Sequence, residues 1–367
     1  MRWIHKPPPD AQTTASLARE LQVDPLVAGL LVQRGIGSFE AARTFFRPTL
    51  DHLHDPFLMR DMDRAVDRIE AAISAGERIL VYGDYDVDGT TSVALLTDYL
   101  QRFYPQVASY IPDRYTEGYG VSFQGIDFAA DNDIQLIIAL DCGIKALEQV
   151  AYAAERGIDF VICDHHRPGD TLPPARAVLD PKREDCPYPY KDLCGCGIGF
   201  KLIQALQERR GGSAEALLPY LDLVATAIAA DIVPVTGENR VLAYYGLQVI
   251  NDRPRPGIRA LLDTVRRDTY KISDLVFQLG PRINAAGRMQ HGQLAVGLLT
   301  TPDPSLARQL AGQVESLNLD RRETDRQMTE EALEMIRAQG EENQYTTVVY
   351  KEDWHKGGIG IVAYRLT

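Results

Sequence analysis

Three apolar runs of this chain each end abruptly in carboxylate or imidazole. Arg78-Ile-Leu-Val-Tyr-Gly83 runs into Asp84-Tyr85-Asp86-Val87-Asp88-Gly89, Gln135-Leu-Ile-Ile-Ala-Leu140 into Asp141-Cys142-Gly143, and Phe160-Val161-Ile162-Cys163 into Asp164-His165-His166. A short apolar run bounded by Gly and Asp, then followed by a helix-like stretch, reads as a strand buried on both faces of a parallel sheet. Parallel strands all point one way, so their carboxyl ends line one edge, where open α/β sheets place their ligands. Residues distant in sequence are therefore expected to meet there. A fourth run, Ala175-Arg-Ala-Val-Leu179, ends in Asp180-Pro181 and repeats the pattern.

The expected fold class is α/β, a parallel sheet with helices on both faces, since strands alternate with helical stretches to about residue 235. Residues 1–55 read as short helices, with Ser38 as an N-cap, forming a lid or cap. The catalytic domain is expected over 56–300. Within it, Gly280-Pro-Arg-Ile-Asn-Ala-Ala-Gly-Arg288 reads as a binding loop interrupting helices. Residues 301–340 read as one long connecting helix, polar on every side in its middle (Asp320-Arg-Arg-Glu-Thr-Asp325), and so exposed there and bridging two domains. After Gly340, Tyr345-Thr-Thr-Val-Val-Tyr350 reads as a strand opening a further unit, 341–367, too short to complete a domain.

At 367 residues the chain suggests two or three units. Its 45% hydrophobic and 25% charged residues are those of a soluble globular protein, and no apolar stretch approaches the ~18 residues needed to cross a bilayer. The N-terminus lacks the apolar core of a signal peptide, so a cytoplasmic setting is the default. Five scattered cysteines argue for a reducing compartment, and Cys194-Gly-Cys196 lacks the second pair a zinc site needs. The net charge of −12 does not exclude a nucleic-acid substrate, because bound divalent ions would reverse the field of an acidic cluster. Local basic groups matter more, and Arg253, Arg255, Arg259, Arg266, Arg267, Arg282 and Arg288 fall within one short region.

Asp84-x-Asp86 places two carboxylates where both can reach one cation or bridge two, whereas Asp88 before Gly89-Thr90 reads as an Asx-turn and helix N-cap. Asp141 by itself could be only a strand-to-helix turn. In the Asp164-His165-His166 triplet one imidazole can ligate while the other hydrogen-bonds a phosphate or donates a proton. Asp231, set in the apolar stretch Ala229-Ala-Asp-Ile-Val, needs a partner if buried, and a metal would serve. A mixed Asp/His set suits Mn²⁺ or Mg²⁺ better than structural zinc, and carboxylates can bridge two ions about 3.5–4 Å apart, an arrangement suited to phosphate-ester hydrolysis.

With GDYDVDG, ALDCG, VICDHH, ADIVP and GPRINAAGR in this order, the chain resembles the DHH phosphoesterase superfamily, and the last motif with the terminal WHKGGIGIVAYRL is similar to its single-strand-specific exonucleases. The resemblance covers about residues 60–367. It implies Asp84, Asp86, Asp141, His165 and Asp231 as metal ligands, a pair of Mn²⁺ or Mg²⁺ ions as cofactor, His166 at the scissile phosphate or leaving group, and Asp164 orienting a histidine. It also implies that Arg288 holds a 5′ end, with Arg282 and Asn284 supporting it. The implied activity is 5′→3′ hydrolysis of single-stranded DNA to 5′-mononucleotides in DNA repair and recombination, by a monomer that repair or replication proteins could recruit. The family continues through a DHHA1 domain, of which only the opening GGIGIVA stretch is present, and so affinity and processivity are expected to be poor. Two alternatives are a DHH phosphodiesterase of short oligonucleotides or cyclic dinucleotides, and a non-catalytic replication scaffold on the same fold.

Overall fold

The structure is a computed structural model and describes residues 4, 6–341 and 344–366. Three short helices come first, α1 (Ala11–Leu21), α2 (Pro25–Val32) and α3 (Phe39–Phe46). Asp10, Asp24 and Ser38 cap them, each accepting from a first-turn amide that would otherwise lack a partner. They bury Leu17, Ala28, Leu31 and Ala42 in a small core of their own.

The alternating part runs α4 (Met62–Ala75), β1 (Arg78–Gly83), α5 (Val87–Gln101), β2 (Val107–Tyr110), α6 (Phe123–Asp131), β3 (Ile134–Leu140), α7 (Leu147–Glu155), β4 (Asp159–Cys163) and β5 (Ala177–Leu179). All five strands are parallel, in the order β2-β1-β3-β4-β5. Successive side chains of a strand point to opposite faces, and the apolar runs divide accordingly. Ile79, Val81, Leu136, Ile138, Leu140 and Val161 enter one core, with α4 and α5; Leu80, Tyr82, Ile137, Ala139, Phe160 and Ile162 enter the other, with α6 and α7. Burial on both faces is why these strands read as unbroken apolar runs. β2 escaped that reading because it is an edge strand of four residues, Val-Ala-Ser-Tyr, with only Val107 fully buried.

The larger core continues through α8 (Gly195–Arg209), α9 (Leu221–Ala230), α10 (Gly237–Asp252), α11 (Pro256–Leu262), the single turn α12 (Ile272–Asp274), a π-helical turn over Leu275–Leu279, α13 (Gly280–Met289) and α14 (Gln293–Thr300). The long helix α15 (Pro304–Gln339) contributes Ala307, Ala311 and Val314 to that core. Farther along it, Met328 and Ala332 pack with Val362 of α16 (Ile359–Leu366) in a separate small cluster.

Three expectations are corrected. GPRINAAGR is not a loop but α13: Pro281 follows directly on the π-helical turn, a local irregularity at which the missing N–H is accommodated, and Ile283, Ala285, Ala286 and Gly287 are buried. The polar middle of α15 is not exposed on every side, because Asn318 and Asp325 are buried and both accept from Arg321, at 3.0 and 3.3 Å. Among the described residues Tyr345–Tyr350 joins no sheet and has no neighbouring strand whose ladder its amides and carbonyls could enter.

Candidate metal centre

In the order β2-β1-β3-β4-β5 the chain leaves β1 toward one face, into α5, and leaves β3 toward the other, into α7. The loops part at this switch point and open a crevice at the carboxyl ends. Asp84 and Asp86 follow β1, Asp141 follows β3, and Asp164-His165-His166 follow β4, while Asp231 enters from the C-terminal end of α9.

Local structure sets each group. Asp86, not Asp88, caps α5, its Oδ1 accepting from Gly89 N at 3.0 Å. Asp88 reaches instead to the first turn of α8 and accepts from Gly195 N and Cys196 N at 2.6 and 2.7 Å. Asp141 has φ +60, a left-handed conformation uncommon outside glycine and a sign of local constraint. A Cβ at Gly195 would lie 2.6 Å from Asp141 Cβ, so this close approach requires glycine. Cys194 caps α8 through Sγ, 3.3 Å from Gly197 N, and all five cysteines are buried and free. Asp164 Oδ1 accepts from His165 N (2.7 Å), His166 N (3.1 Å) and His166 Nδ1 (2.7 Å), and its Oδ2 accepts from Ile144 N (2.9 Å).

These elements bring His165 Nε2 within 3.1 Å of Asp141 Oδ1, 3.7 Å of Asp231 Oδ2 and 3.8 Å of Asp88 Oδ2. Two donor groups with metal-like spacing share His165: Asp141 with His166, and Asp88 with Asp231. The second includes Asp88, which the sequence reading left out, and neither group includes Asp84 or Asp86. Asp88 already has both oxygens engaged by amides, so its part is to join α5 to α8 beneath the cluster. Asp84 is the opposite case: fully buried, with neither oxygen partnered. Asp141 Oδ1, His165 Nδ1 and Asp231 Oδ2 also lack hydrogen-bond partners.

A buried carboxylate without a partner is costly, and the proton affinities register it. Burial, and then the charge of Asp86, pushes Asp84 up to about 7. Burial raises Asp86 too, and raises Asp141 well above the carboxylate range, with the charge of Asp88 adding to it. Burial drives His165 toward its neutral, ligating form. His166 is raised by its hydrogen bond to Asp164; burial pushes Asp164 up, but the His166 pairing and the backbone amides of Ile144 and His166 together hold its carboxyl low. Unpartnered oxygens and a neutral imidazole crowded together fit divalent cations, which would supply the missing positive charge.

The arginines divide. Arg288 is half-buried, donates to Gly357 O at 3.0 Å and accepts from Tyr115 OH through its own carbonyl. Gly287 beside it lies so close to the acid turn that a Cβ would meet Tyr85 O at 2.4 Å, which places α13 directly against β1's terminus. Arg282 is engaged by Glu315 of α15 at 2.5 Å and by Gln278 O at 2.8 Å, and Asn284 is half-buried on the same helix. Of the remaining arginines, Arg255 is paired with buried Asp222 at 3.0 Å, and Arg267 with Asp274 at 3.6 Å.

Sequence reasoning missed an aromatic lip. Arg114 lies 4.5 Å over the Tyr85 ring, Tyr85 meets Tyr119 edge-on at 6.1 Å, and Tyr119 OH lies 3.2 Å from His166 Nε2. Tyr119, set between Gly118 and Gly120, was the available signal: a large aromatic in a turn, with no core to enter. A larger hollow of about 920 Å³, between the end of α15, residues 344–349 and α16, lies apart from this centre.

The model of the DHH family, N-terminal domain, matches residues 78–228. The chain is 41% identical over 369 residues to the single-stranded-DNA-specific exonuclease RecJ of Bacillus subtilis, covering all of this chain and 46% of that protein. It is 36% identical to the Escherichia coli RecJ, covering 97% of this chain and 64% of that one, so it spans about half to two thirds of these relatives' length. A crystal structure of exonuclease RecJ bound to manganese superposes with a TM-score of 0.78 at 33% identity, over 87% of this chain and 79% of the other. RecJ from Thermus thermophilus in complex with Mn²⁺ gives 0.83 at 29% identity, over 100% of this chain and 52% of the other. Fold, site and similarity agree: the chain belongs to the DHH family, among its RecJ members.

Proposed function

We propose that this chain is the catalytic part of a Mn²⁺- or Mg²⁺-dependent exonuclease that hydrolyses single-stranded DNA from the 5′ end, releasing 5′-mononucleotides. The observation that carries the reading is the set of buried, unpartnered donors at the β1/β3 switch point, on a chain similar to proteins named for that activity. Asp84, Asp86, Asp141, His165 and Asp231 are assigned to hold the metal. When bound, divalent ions would lower the pKa of a water and offset charge on the phosphoryl oxygens.

The chain's own groups supply the rest. Asp164 fixes the His166 ring through Nδ1 and leaves Nε2 turned toward Tyr119 and the crevice, where it can hydrogen-bond a phosphate or donate to the leaving oxygen. Arg288 is assigned to the 5′ end and Asn284 to its support. Arg282 supports the site differently from expectation: its ion pair with Glu315 ties α13 to α15. Among the described residues no helix is long and apolar enough to cross a membrane; a cytoplasmic monomer acting in repair and recombination fits the reading. Residues 56–300 would be the catalytic domain, and 301–340 would connect it to the C-terminal unit.

The test uses single strands labelled at either end, several lengths, and a blunt duplex, with manganese or magnesium. Release of mononucleotides from the 5′ end of long strands, with duplex spared, is the expected result. Digestion confined to dinucleotides would move the assignment to a short-oligonucleotide phosphodiesterase, and no hydrolysis with either metal would reject catalysis by this chain.

A further inference from the structure

Next to the metal centre is a second hollow that the assigned reaction leaves unused. It measures about 260 Å³ and lies between the Tyr119–Val121 loop and the Gly143–Ala146 turn, with His166 on one wall and Gln149 of α7 on another. Its size is below the ~300–1,000 Å³ of sites for drug-sized ligands, so it has room for one ring system and not for two nucleotides. Val121, Ile144, Ala146 and the Tyr119 ring make the lining largely apolar. Lys145, exposed, and Gln149, half-buried, bring hydrogen-bonding groups to it, and among the described residues neither side chain has a partner. A flat ring with polar edges satisfies all of these features: its faces meet apolar and aromatic walls, its edge meets the amide and the ammonium.

We infer that this hollow is a base-binding subsite for a nucleotide adjoining the scissile phosphate, with Tyr119 as its aromatic wall and Gln149 and Lys145 as its polar contacts. The inference rests on the nuclease reading for the identity of its ligand. Tyr119 joins the subsite to the chemistry, because its ring borders the hollow while its hydroxyl lies 3.2 Å from His166 Nε2. A base seated there fixes Tyr119, and Tyr119 in turn fixes the free nitrogen of a histidine whose other nitrogen is already held by Asp164. Occupancy should therefore act on kcat as well as on KM. Tyr119 is a positioning residue in this scheme.

Two measurements test it. In the first, binding of dAMP and of 2-deoxyribose 5-phosphate is compared by calorimetry without hydrolysis. The wild-type chain should prefer dAMP by about tenfold. Ala146→Phe, which fills the hollow, should abolish the preference; Lys145→Ala with Gln149→Ala, both at the rim, should reduce it even where the first variant folds poorly. Equal affinity for both ligands in the wild type, or a preference untouched in the folded variants, overturns the subsite. In the second, an abasic residue is placed at each of the first three positions of a 5′-phosphorylated strand. One position should lower kcat by about tenfold in the wild type and by much less in Tyr119→Phe. A uniform response at all positions counts against the inference. A chain that prefers dAMP yet hydrolyses nothing keeps the subsite and loses the nuclease; one that hydrolyses strands without preferring the base does the reverse.

Discussion

The two ends of the sheet are built from the same residue types and resolve them oppositely. At the amino end, Glu77 before β1 and Asp159 at the start of β4 are both held by Arg68, at 2.7 Å each, and Asp159 takes a second bond from Arg176 at 2.7 Å. At the carboxyl end, Asp84, Asp141 and Asp231 have oxygens with no hydrogen-bond partner and no arginine or lysine, only the His165 imidazole beside two of them. At the amino edge Glu77 and Asp159 find guanidinium partners, whereas the buried carboxylates at the carboxyl edge are crowded together without one. Unpaired donors of this kind are what cation binding requires, and the paired edge is the internal control.

The largest effect should come from removing the proposed ligand nearest His165. Asp141→Ala is expected to lower manganese-dependent nucleotide release by at least ~10²–10³-fold, with the melting transition retained. Wild-type-like release would remove Asp141 from the site and break the contrast. Asp84→Asn sharpens it from the side of stability. Without metal at pH 8 the variant should be more stable than wild type by about 1–3 kcal/mol, a rise of a few degrees in Tm, because a buried unpaired charge is gone. Added manganese should then stabilise the variant less than it stabilises wild type. Calorimetric melts with and without manganese read both.

How much of this was legible beforehand depends on where the information lies. β1, β3 and β4 are buried on both faces, so each is written as an apolar run, and the acid and imidazole groups stand directly after those runs. Convergence of the motifs needed only the rule that parallel strands end together. What could not be read depends on contacts between distant segments. Nothing local marks β2 as an edge strand, shows Asp88 reaching across to Gly195 and Cys196, or pairs Arg282 with Glu315. Gly287 belongs to the same class: in sequence it suggests a loop, whereas in the fold it is the one residue small enough to let a helix rest against Tyr85.

The unpaired edge should also respond to pH in a definite direction. Asp84 has its folded pKa raised to about 7 from the ordinary value of 3.8, so between these values the metal-free folded chain holds a proton that the unfolded chain has released. Stability of the metal-free protein should accordingly fall as pH rises from about 4 to 7, and buried Asp180, also raised by burial to about 7, adds to the fall. Ligation requires the deprotonated group, so manganese should raise Tm more at pH 8 than at pH 6 and release protons on binding. A manganese shift in Tm that is the same at both pH values would show that the unpartnered carboxylates are not the ligands.

The smallest effect is expected at the paired edge. Arg68 is mostly buried and serves both Glu77 and Asp159, so Arg68→Ala removes two charge-assisted bonds while leaving Arg176 to keep one of the two carboxylates partnered. Because Glu77 and Asp159 retain some exposure and can rehydrate, the loss should be about 1–2 kcal/mol, below that of a fully buried pair. It lies at the far end of strands whose carboxyl termini carry the site, and those strands are fixed by two cores independent of Arg68. Denaturant melts should therefore register the change while manganese-dependent kcat stays within about twofold of wild type. A large drop in kcat would mean that the amino edge sets the geometry of the carboxyl edge, and the two ends of the sheet would then be one functional unit instead of a site and its structural counterpart.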